Sequence, residues 1–279
     1  MNRRHFLAAM AAAVPSALAK SLPAIGVQLY TVRSIINEKP MEVLSAIEKL
    51  GYREVEVVRA SMDAIWDSLK RTQLKPVSIH IDTALFMAKK DELPRALDDA
   101  ASRGFKYVVC PYIAPQDRGG VEVIKRLADT LTEAGKRSKA AGVTLCYHNH
   151  AFEFEPAGEG TLLDVLMQNS DRKLVNLELD IMWSAVAGVD PVSVLNRYKG
   201  RVMLMHVKDL ARGAAKQYHE KVPREAFKEA GSGSIDIPSV LRAGMKTGVR
   251  HFFVEQDQTP GAPLDSLKIS YDYLKSLNL

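Results

Sequence analysis

The stretch Leu145-Cys-Tyr-His148-Asn-His150 decides the reading of this chain. An uncharged, largely apolar run ends in two imidazoles two positions apart. Side chains alternate across a strand, so Cys146, His148 and His150 share one face and Leu145 and Tyr147 the other. A strand that is apolar on both faces fits a parallel sheet covered by helices. Three further segments end in the same way: Leu177-Glu-Leu-Asp180, Val202-Met-Leu-Met-His206-Val-Lys208-Asp209 and Phe252-Phe-Val-Glu255. By the same alternation Glu178 and Asp180 share a face, as do Leu204, His206 and Lys208, and then His251, Phe253 and Glu255.

Outward from these segments, apolar runs alternate with helical patterns at a period of roughly 25 to 35 residues, the size of a βα unit. Strands are expected at residues 25–29, 54–58, 77–81, 107–110, 143–148, 175–180, 202–207 and 251–255. Between them lie helical spacings such as Met41-Val43-Leu44-Ile47-Leu50 and Val121-Ile124-Leu127-Leu131, with stops near Gly51, Gly104, Gly142 and Gly248. Eight such units close naturally into a single (β/α)8 barrel of the TIM type. The alternative, a doubly wound open sheet, lacks its glycine-rich fingerprint: Gln28-Leu-Tyr-Thr-Val-Arg33 holds no glycine.

In a barrel, groups at the carboxyl ends of the strands converge on one site. His148, Asp180, His206 and Glu255 all face inward in one register near the tops of four consecutive strands. Two imidazoles and two carboxylates suit one divalent ion among manganese, cobalt, zinc, iron and magnesium. A single inward histidine is ordinarily hydrogen-bonded core, but two carboxylates are costly to bury without a cation. Gln28, Glu56, His80 and Trp183 are candidates to contact substrate, the tryptophan as a face for a sugar ring; Glu56 also reads as an ion-pair partner and Trp183 as core. His150, Glu153, Lys208 and Glu255 are the acid/base candidates, Lys208 alternatively forming an ion pair with a neighbouring carboxylate. Residues 211–233 break the rhythm with a long, polar, charged connection ending in Gly231-Ser-Gly233-Ser-Ile-Asp236. It reads as a lid over the site, or as a solvated surface loop.

The 279 residues carry 47% hydrophobic and 25% charged side chains with a formal charge of +5, an ordinary globular composition that does not imply nucleic acid. Arg3-Arg4-His5-Phe6-Leu7 ahead of an alanine-rich apolar stretch, with Ala17-Leu18-Ala19 following, resembles a twin-arginine export signal. An ordinary secretory signal or a frayed terminal helix is the alternative. The expectation is an export segment at 1–19, a barrel domain at 20–279, a periplasmic or otherwise exported product, and no stable membrane association after cleavage. Cys110 and Cys146 fall inside apolar runs and are expected as buried thiols. A homo-oligomer is possible on this composition.

The motifs Tyr147-His-Asn-His-Ala-Phe-Glu-Phe154, Leu179-Asp180, His206-Val-Lys-Asp209 and Gly231-Ser-Gly-Ser-Ile-Asp236 resemble the xylose isomerase-like TIM barrel superfamily, often labelled sugar phosphate isomerases/epimerases. That superfamily includes ketose 3-epimerases, inosose dehydratases and the endonuclease IV branch. The resemblance runs from Ile25-Gly-Val-Gln-Leu-Tyr30 to Phe253-Val-Glu255 and implies Asp180, His206 and Glu255 as metal ligands. Family epimerases carry a fifth-strand glutamate that binds metal and exchanges a substrate proton; its nearest equivalent in this reading is Cys146. The fourth ligand is then His148, or Glu153 reaching back from the following loop, or water.

These expectations describe a divalent-metal-dependent isomerase or epimerase acting on a keto-sugar or related polyol by enediolate-type proton transfer. A lyase acting by β-elimination on 3-keto-sugars or glycosides and a non-catalytic sugar-binding barrel are the alternatives. A nuclease of the endonuclease IV type fits poorly with an exported chain. A free, oxidised or glycosidic sugar suits such a chain better than a sugar phosphate.

Overall fold

A computed structural model describes residues 21–87 and 91–279. The expected export segment lies outside the described residues. Within them, parallel strands close a barrel in chain order: β1 (Gly26–Gln28), β2 (Glu54–Val58), β3 (Lys75–His80), β4 (Tyr107–Cys110), β5 (Thr144–His148), β6 (Val175–Asp180), β7 (Val202–Val207) and β8 (His251–Val254). β8 pairs back onto β1 through Gly26 opposite Phe253, which excludes the open sheet. The seam is tight, since a Cβ on Gly26 would lie 2.5 Å from the Phe253 ring. β1 stops at Gln28 because its side-chain oxygen accepts from Tyr30 N at 3.0 Å and starts a turn over Leu29–Val32.

The helices follow the apolar spacing. Pro40–Leu50 buries Val43, Leu44 and Ile47 and ends at Gly51, whose φ of 115° is open to glycine at little cost. Gly120–Ala140 buries Ile124, Leu127, Ala128 and Leu131 on one side. Each buried leucine or isoleucine contributes about 1.5–3 kcal/mol. No described helix is long and apolar enough to cross a membrane. Cys110 and Cys146 are free and buried, as expected.

Inside the barrel the side chains form layers. Near the amino ends of the strands Glu54 meets His251 at 2.8 Å, and the Tyr107 ring lies edge-on to that imidazole. Above them Val77, Val109, Cys146, Leu204 and Phe253 form an apolar plug. Above the plug the interior turns ionic. In the layer between β2 and β3 the register shifts at Val55/Glu56, and between β6 and β7 at Leu177/Glu178. Such irregularities re-aim a side chain, and both occur at a carboxylate of that ionic layer.

Outside the barrel, Thr161 caps helix Leu162–Asn169 in a reciprocal box with Asp164. The Asp164 carboxylate also receives Arg197 Nη1 at 2.7 Å and the Tyr198 hydroxyl. Burial works to raise its pKa, but the bonds from Tyr198, Arg197 and Thr161 outweigh it and hold the group below its ordinary value. A depressed folded-state pKa gives stability that is present above the unfolded value, about 3.9 for Asp, and is lost as pH falls through the folded value. Asp164→Asn should therefore cost about 1–2 kcal/mol at neutral pH. Thermal unfolding of both proteins across pH should show the gap closing below about pH 4; a gap independent of pH would show that the charge contributes nothing.

Candidate metal centre

The ionic layer is built from strand ends. β5 ends at His148, β6 at Asp180, and β7 and β8 bring His206 and Glu255 to the same level. Their ligand-type atoms all lie within 4.8 Å of one another and all four residues are buried. Asn149 ties the tops of β5 and β6 together: its Oδ1 accepts from Asp180 N at 3.1 Å. Asp180 is divided between two tasks. Its Oδ1 caps helix Ile181–Val186 by accepting from Trp183 N at 2.9 Å. Its Oδ2 turns inward, 2.8 Å from Lys208 Nζ but without hydrogen-bond geometry, 3.8 Å from His206 Nδ1 and 4.0 Å from His148 Nε2.

Each imidazole is held from behind by a carboxylate. His206 Nε2 meets Glu56 Oε2 at 2.6 Å while its Nδ1 faces Glu255 Oε2 at 2.9 Å. His148 Nδ1 meets Glu178 Oε2 at 3.1 Å, leaving Nε2 toward Asp180. A carboxylate on the far nitrogen fixes the ring and raises its basicity, the usual support of a metal-bound histidine. A second group, His80, His148, Glu178 and His206, is also compact. It fits less well, because His80 Nε2 is already shared between Glu178 at 2.8 Å and Glu56 at 3.1 Å.

Charge points the same way. Four buried carboxylates, Glu56, Glu178, Asp180 and Glu255, together with the partly exposed Asp257, face Lys208, His80 and His206. Burial works against the charge on His80, yet Glu56 and Glu178 lift its pKa to about 10, and the same carboxylates with Glu255 hold His206 well above its ordinary value. Burial lifts Glu178 to about 7, helped by Glu56, and Asp180 to about 6 against the pull of Lys208. Burial and neighbouring cations keep His148 and His150 well below the ordinary histidine value, so both are neutral near pH 7. The Oε1 atoms of Glu56 and Glu178 have no partner. A mixed N/O set with surplus buried negative charge and unpartnered carboxylate oxygens fits a divalent cation. His148, Asp180, His206 and Glu255 are the residues that would hold it.

A cavity of about 700 Å³ opens over the cluster, lined on its floor by His80, His148, His150, Trp183, Glu255 and Asp257. Gln28 and Glu56 lie beneath it rather than on its wall. They are fully buried one pleat lower and bonded to each other at 2.7 Å, so substrate contact is replaced by support of His206. Cys146 belongs to the apolar plug, and the β5 side chain at ligand level is His148. Glu153 is turned away by the helical turn Phe152–Phe154. One oxygen accepts from the Tyr147 hydroxyl at 2.6 Å and the other from His150 N at 2.8 Å, which places Glu153 behind the loop that carries His150. Lys208 takes the ion-pair reading, with Glu255 and Asp257 each at 2.6 Å. Glu178 and Asp257 join the cluster without having been expected there; each is two positions from a candidate ligand, Asp180 or Glu255, and that spacing is the signal that points to them.

Residues 211–233 are ordered rather than a free surface loop. A ribbon pairs Asp209–Leu210 with Phe227–Lys228, and Glu220, Val222, Arg224 and Phe227 line the cavity. The far end is clasped by Asp209, which accepts from Gly231 N, Gly233 N and Ile235 N at 2.9–3.1 Å. A Cβ at Gly233 would lie 2.4 Å from that carboxylate. Across the mouth Glu220 pairs at 3.0 Å with Arg118, whose guanidinium lies 3.7 Å over the Phe152 ring.

A family model for xylose isomerase-like TIM barrels matches residues 44–277. The chain belongs to that family. Among its curated relatives, the rhizopine catabolism protein MocC of Rhizobium meliloti is 31% identical over 52% of this chain and 46% of its own length. The chain thus spans about half the length of the relatives it matches first, inosose dehydratase of Lacticaseibacillus casei included. An inosose dehydratase of Geobacillus kaustophilus matches more widely, at 29% identity over 85% of this chain and 86% of its own. In fold the family likeness extends to a sugar phosphate isomerase/epimerase of Parabacteroides distasonis, with a TM-score of 0.77 at 20% identity, covering 91% of this chain and 98% of that one. A zinc-bound IOLI protein has a TM-score of 0.72 at 18% identity, covering 92% and 99%.

The Arg118–Glu220 pair is the ionic tie across the cavity mouth among the described residues. Glu220→Gln should raise amide hydrogen exchange over residues 216–224 by on the order of fivefold, the worth of a partly buried ion pair of about 1 kcal/mol. Unchanged exchange there would show that packing alone holds the cover.

Proposed function

We propose that this protein is a divalent-metal-dependent enzyme that moves a proton at the carbon next to the carbonyl of an unphosphorylated keto-sugar or keto-polyol, as an isomerase or epimerase. The observation that carries this reading is the set His148, Asp180, His206 and Glu255 at the carboxyl ends of four consecutive strands, with Glu56 and Glu178 behind its imidazoles. The bound ion supplies Lewis acidity that stabilises negative charge developing on sugar oxygens.

The chain's own residues supply the rest. His150 lines the cavity, is neutral near pH 7 and has an unpartnered Nδ1, the requirements for a base that takes the proton. Its backbone is fixed by Glu153. Lys208 stays an ammonium because burial is outweighed by Asp180, Asp257 and Glu255; buried and held by all three carboxylates, it fixes Glu255 and Asp257 beneath the substrate rather than acting as a base. Where the proton is returned decides isomerisation or epimerisation; loss of a neighbouring hydroxyl gives dehydration. The wide match to an inosose dehydratase supports dehydration as the second reading.

A free rather than phosphorylated substrate follows from how the cations are used. Arg118 is paired with Glu220, Arg59 with Asp82, Arg224 with the Thr259 carbonyl, and Lys208 with three carboxylates. Among the described residues that line the cavity, Asp82, Glu220, Glu255 and Asp257 outnumber the one arginine, Arg224, which favours an uncharged sugar over a phosphate. We also infer export through the twin-arginine-like amino terminus, which suits a free sugar.

Purified protein should contain close to stoichiometric divalent metal by elemental analysis, and Asp180→Ala should lose it. In deuterated water the metal-loaded protein should exchange a C–H next to the carbonyl of 3-keto-glucose or an inosose, with His150→Gln lowering the rate by about 10²–10⁴-fold. Absence of both bound metal and metal-induced thermal stabilisation would overturn the proposal. Water loss accompanying exchange would select the dehydratase.

A further inference from the structure

The cavity has two zones, and the cluster accounts for one. Its floor is ionic, whereas its mouth is walled by Tyr30, Val58, Pro111, Tyr112, Val222 and Phe227. Asp82, Glu220 and Arg224 stand among these residues and are bonded to Arg59, Arg118 and the Thr259 carbonyl, so the ring and aliphatic surface between them is what is left for stacking. We propose that this mouth is a second subsite for the aglycone of a glycoside, so that the enzyme takes a sugar joined to a further ring with an apolar face rather than a free monosaccharide. This rests on the proton-transfer reading of the floor.

Size supports it. At about 700 Å³ the cavity suits a drug-sized ligand, with about twice the heavy atoms of a hexose. A hexose over the cluster would leave the apolar mouth wet. Tyr30 is the telling residue: it is 40% exposed, a large aromatic side chain left at the rim. Arg33 holds it in place, lying 4.0 Å over the ring and donating to the Tyr30 carbonyl at 2.9 Å and the Asp257 carbonyl at 2.6 Å. The Asp257 carboxylate in turn holds Lys208. The rim aromatic and Asp257 on the floor are therefore fixed relative to each other through one guanidinium, a preorganisation that a ligand spanning both zones would exploit. Tyr112 and Phe227 stand on either side, with Phe227 edge-on to Trp183 at 5.8 Å. An apolar pyranose face and an aryl ring share the chemistry that stacks on such surfaces.

Calorimetric titration of the metal-loaded protein with glucose, phenyl glucoside and cellobiose tests this. At least one of the two larger ligands should bind at least tenfold more tightly than glucose, and which of them does so identifies the aglycone as aryl or sugar. Tyr30→Ala should lower that affinity ratio by about tenfold; Val222→Ala, which removes a smaller apolar surface, should lower it less. Equal affinity across the series, no binding by any member, or a ratio that survives both substitutions would overturn the proposal. The two readings fail separately: C–H exchange as fast with 3-keto-glucose as with its phenyl glycoside removes the subsite and leaves the proton transfer. A glycoside preference in binding with no exchange in any compound removes the proton transfer and leaves the subsite.

Discussion

Burying four carboxylates at one end of a barrel is the constraint on which the rest of this structure depends. A buried charge is tolerated only when paired, and removing one partner leaves the other exposed to the full desolvation penalty, of order 3–5 kcal/mol. Here the pairing crosses the barrel: β2 reaches β7 through Glu56 and His206, β3 reaches β6 through His80 and Glu178, and β7 reaches β8 through Lys208 and Glu255. The layer is thus a ring of cross-links above an apolar plug. Strand order and register must both be right before any of these charges is satisfied.

The two register shifts become intelligible in this light. An unbroken ladder fixes which residues share a level, and the irregularities at Val55/Glu56 and Leu177/Glu178 adjust that level at the two carboxylates that stand behind imidazoles. Rigid support of this kind separates a ligand from a satisfied core histidine. His80 and His206 each hold Nε2 between Glu56 and Glu178, but His206, like His148, also directs a second nitrogen at Asp180 or Glu255.

Strand alternation made much of this legible in the sequence. The ranges 54–58, 107–110, 175–180 and 202–207 coincide with the strands, because β-branched and other apolar residues dominate each short run and few other readings remain. Inward placement of His148, Asp180, His206, Lys208 and Glu255 follows from the same period of two. What alternation does not carry is height: it places Gln28 and Glu56 inside the barrel without showing that they stop below the cavity, and it makes Glu178 and Asp180 equivalent. It also ends where the strand ends. One helical turn after β5 is enough to send Glu153 behind the sheet while His150 stays at the cavity, and no periodicity predicts that reversal.

The cover and the floor meet on a single strand. β7 and the residue pair after it present His206 and Lys208 inward and Asp209 toward the backbone of residues 231–235, so one short segment holds a candidate ligand, the buried ammonium and the clasp of the 211–233 cover. Both ends of the cover are thereby fixed, by β7 on one side and by the clasp on the other, while its middle is held by the Arg118–Glu220 pair, by the bonds from Gln217 N to the Val186 carbonyl and from Arg224 to the Thr259 carbonyl, and by packing of Tyr218 and Val222 against the core. None of these contacts belongs to the ionic layer. The site can therefore admit a ligand while the costly arrangement of buried charge beneath it stays intact, which is the separation of rigid floor and yielding cover that preorganised catalysis requires.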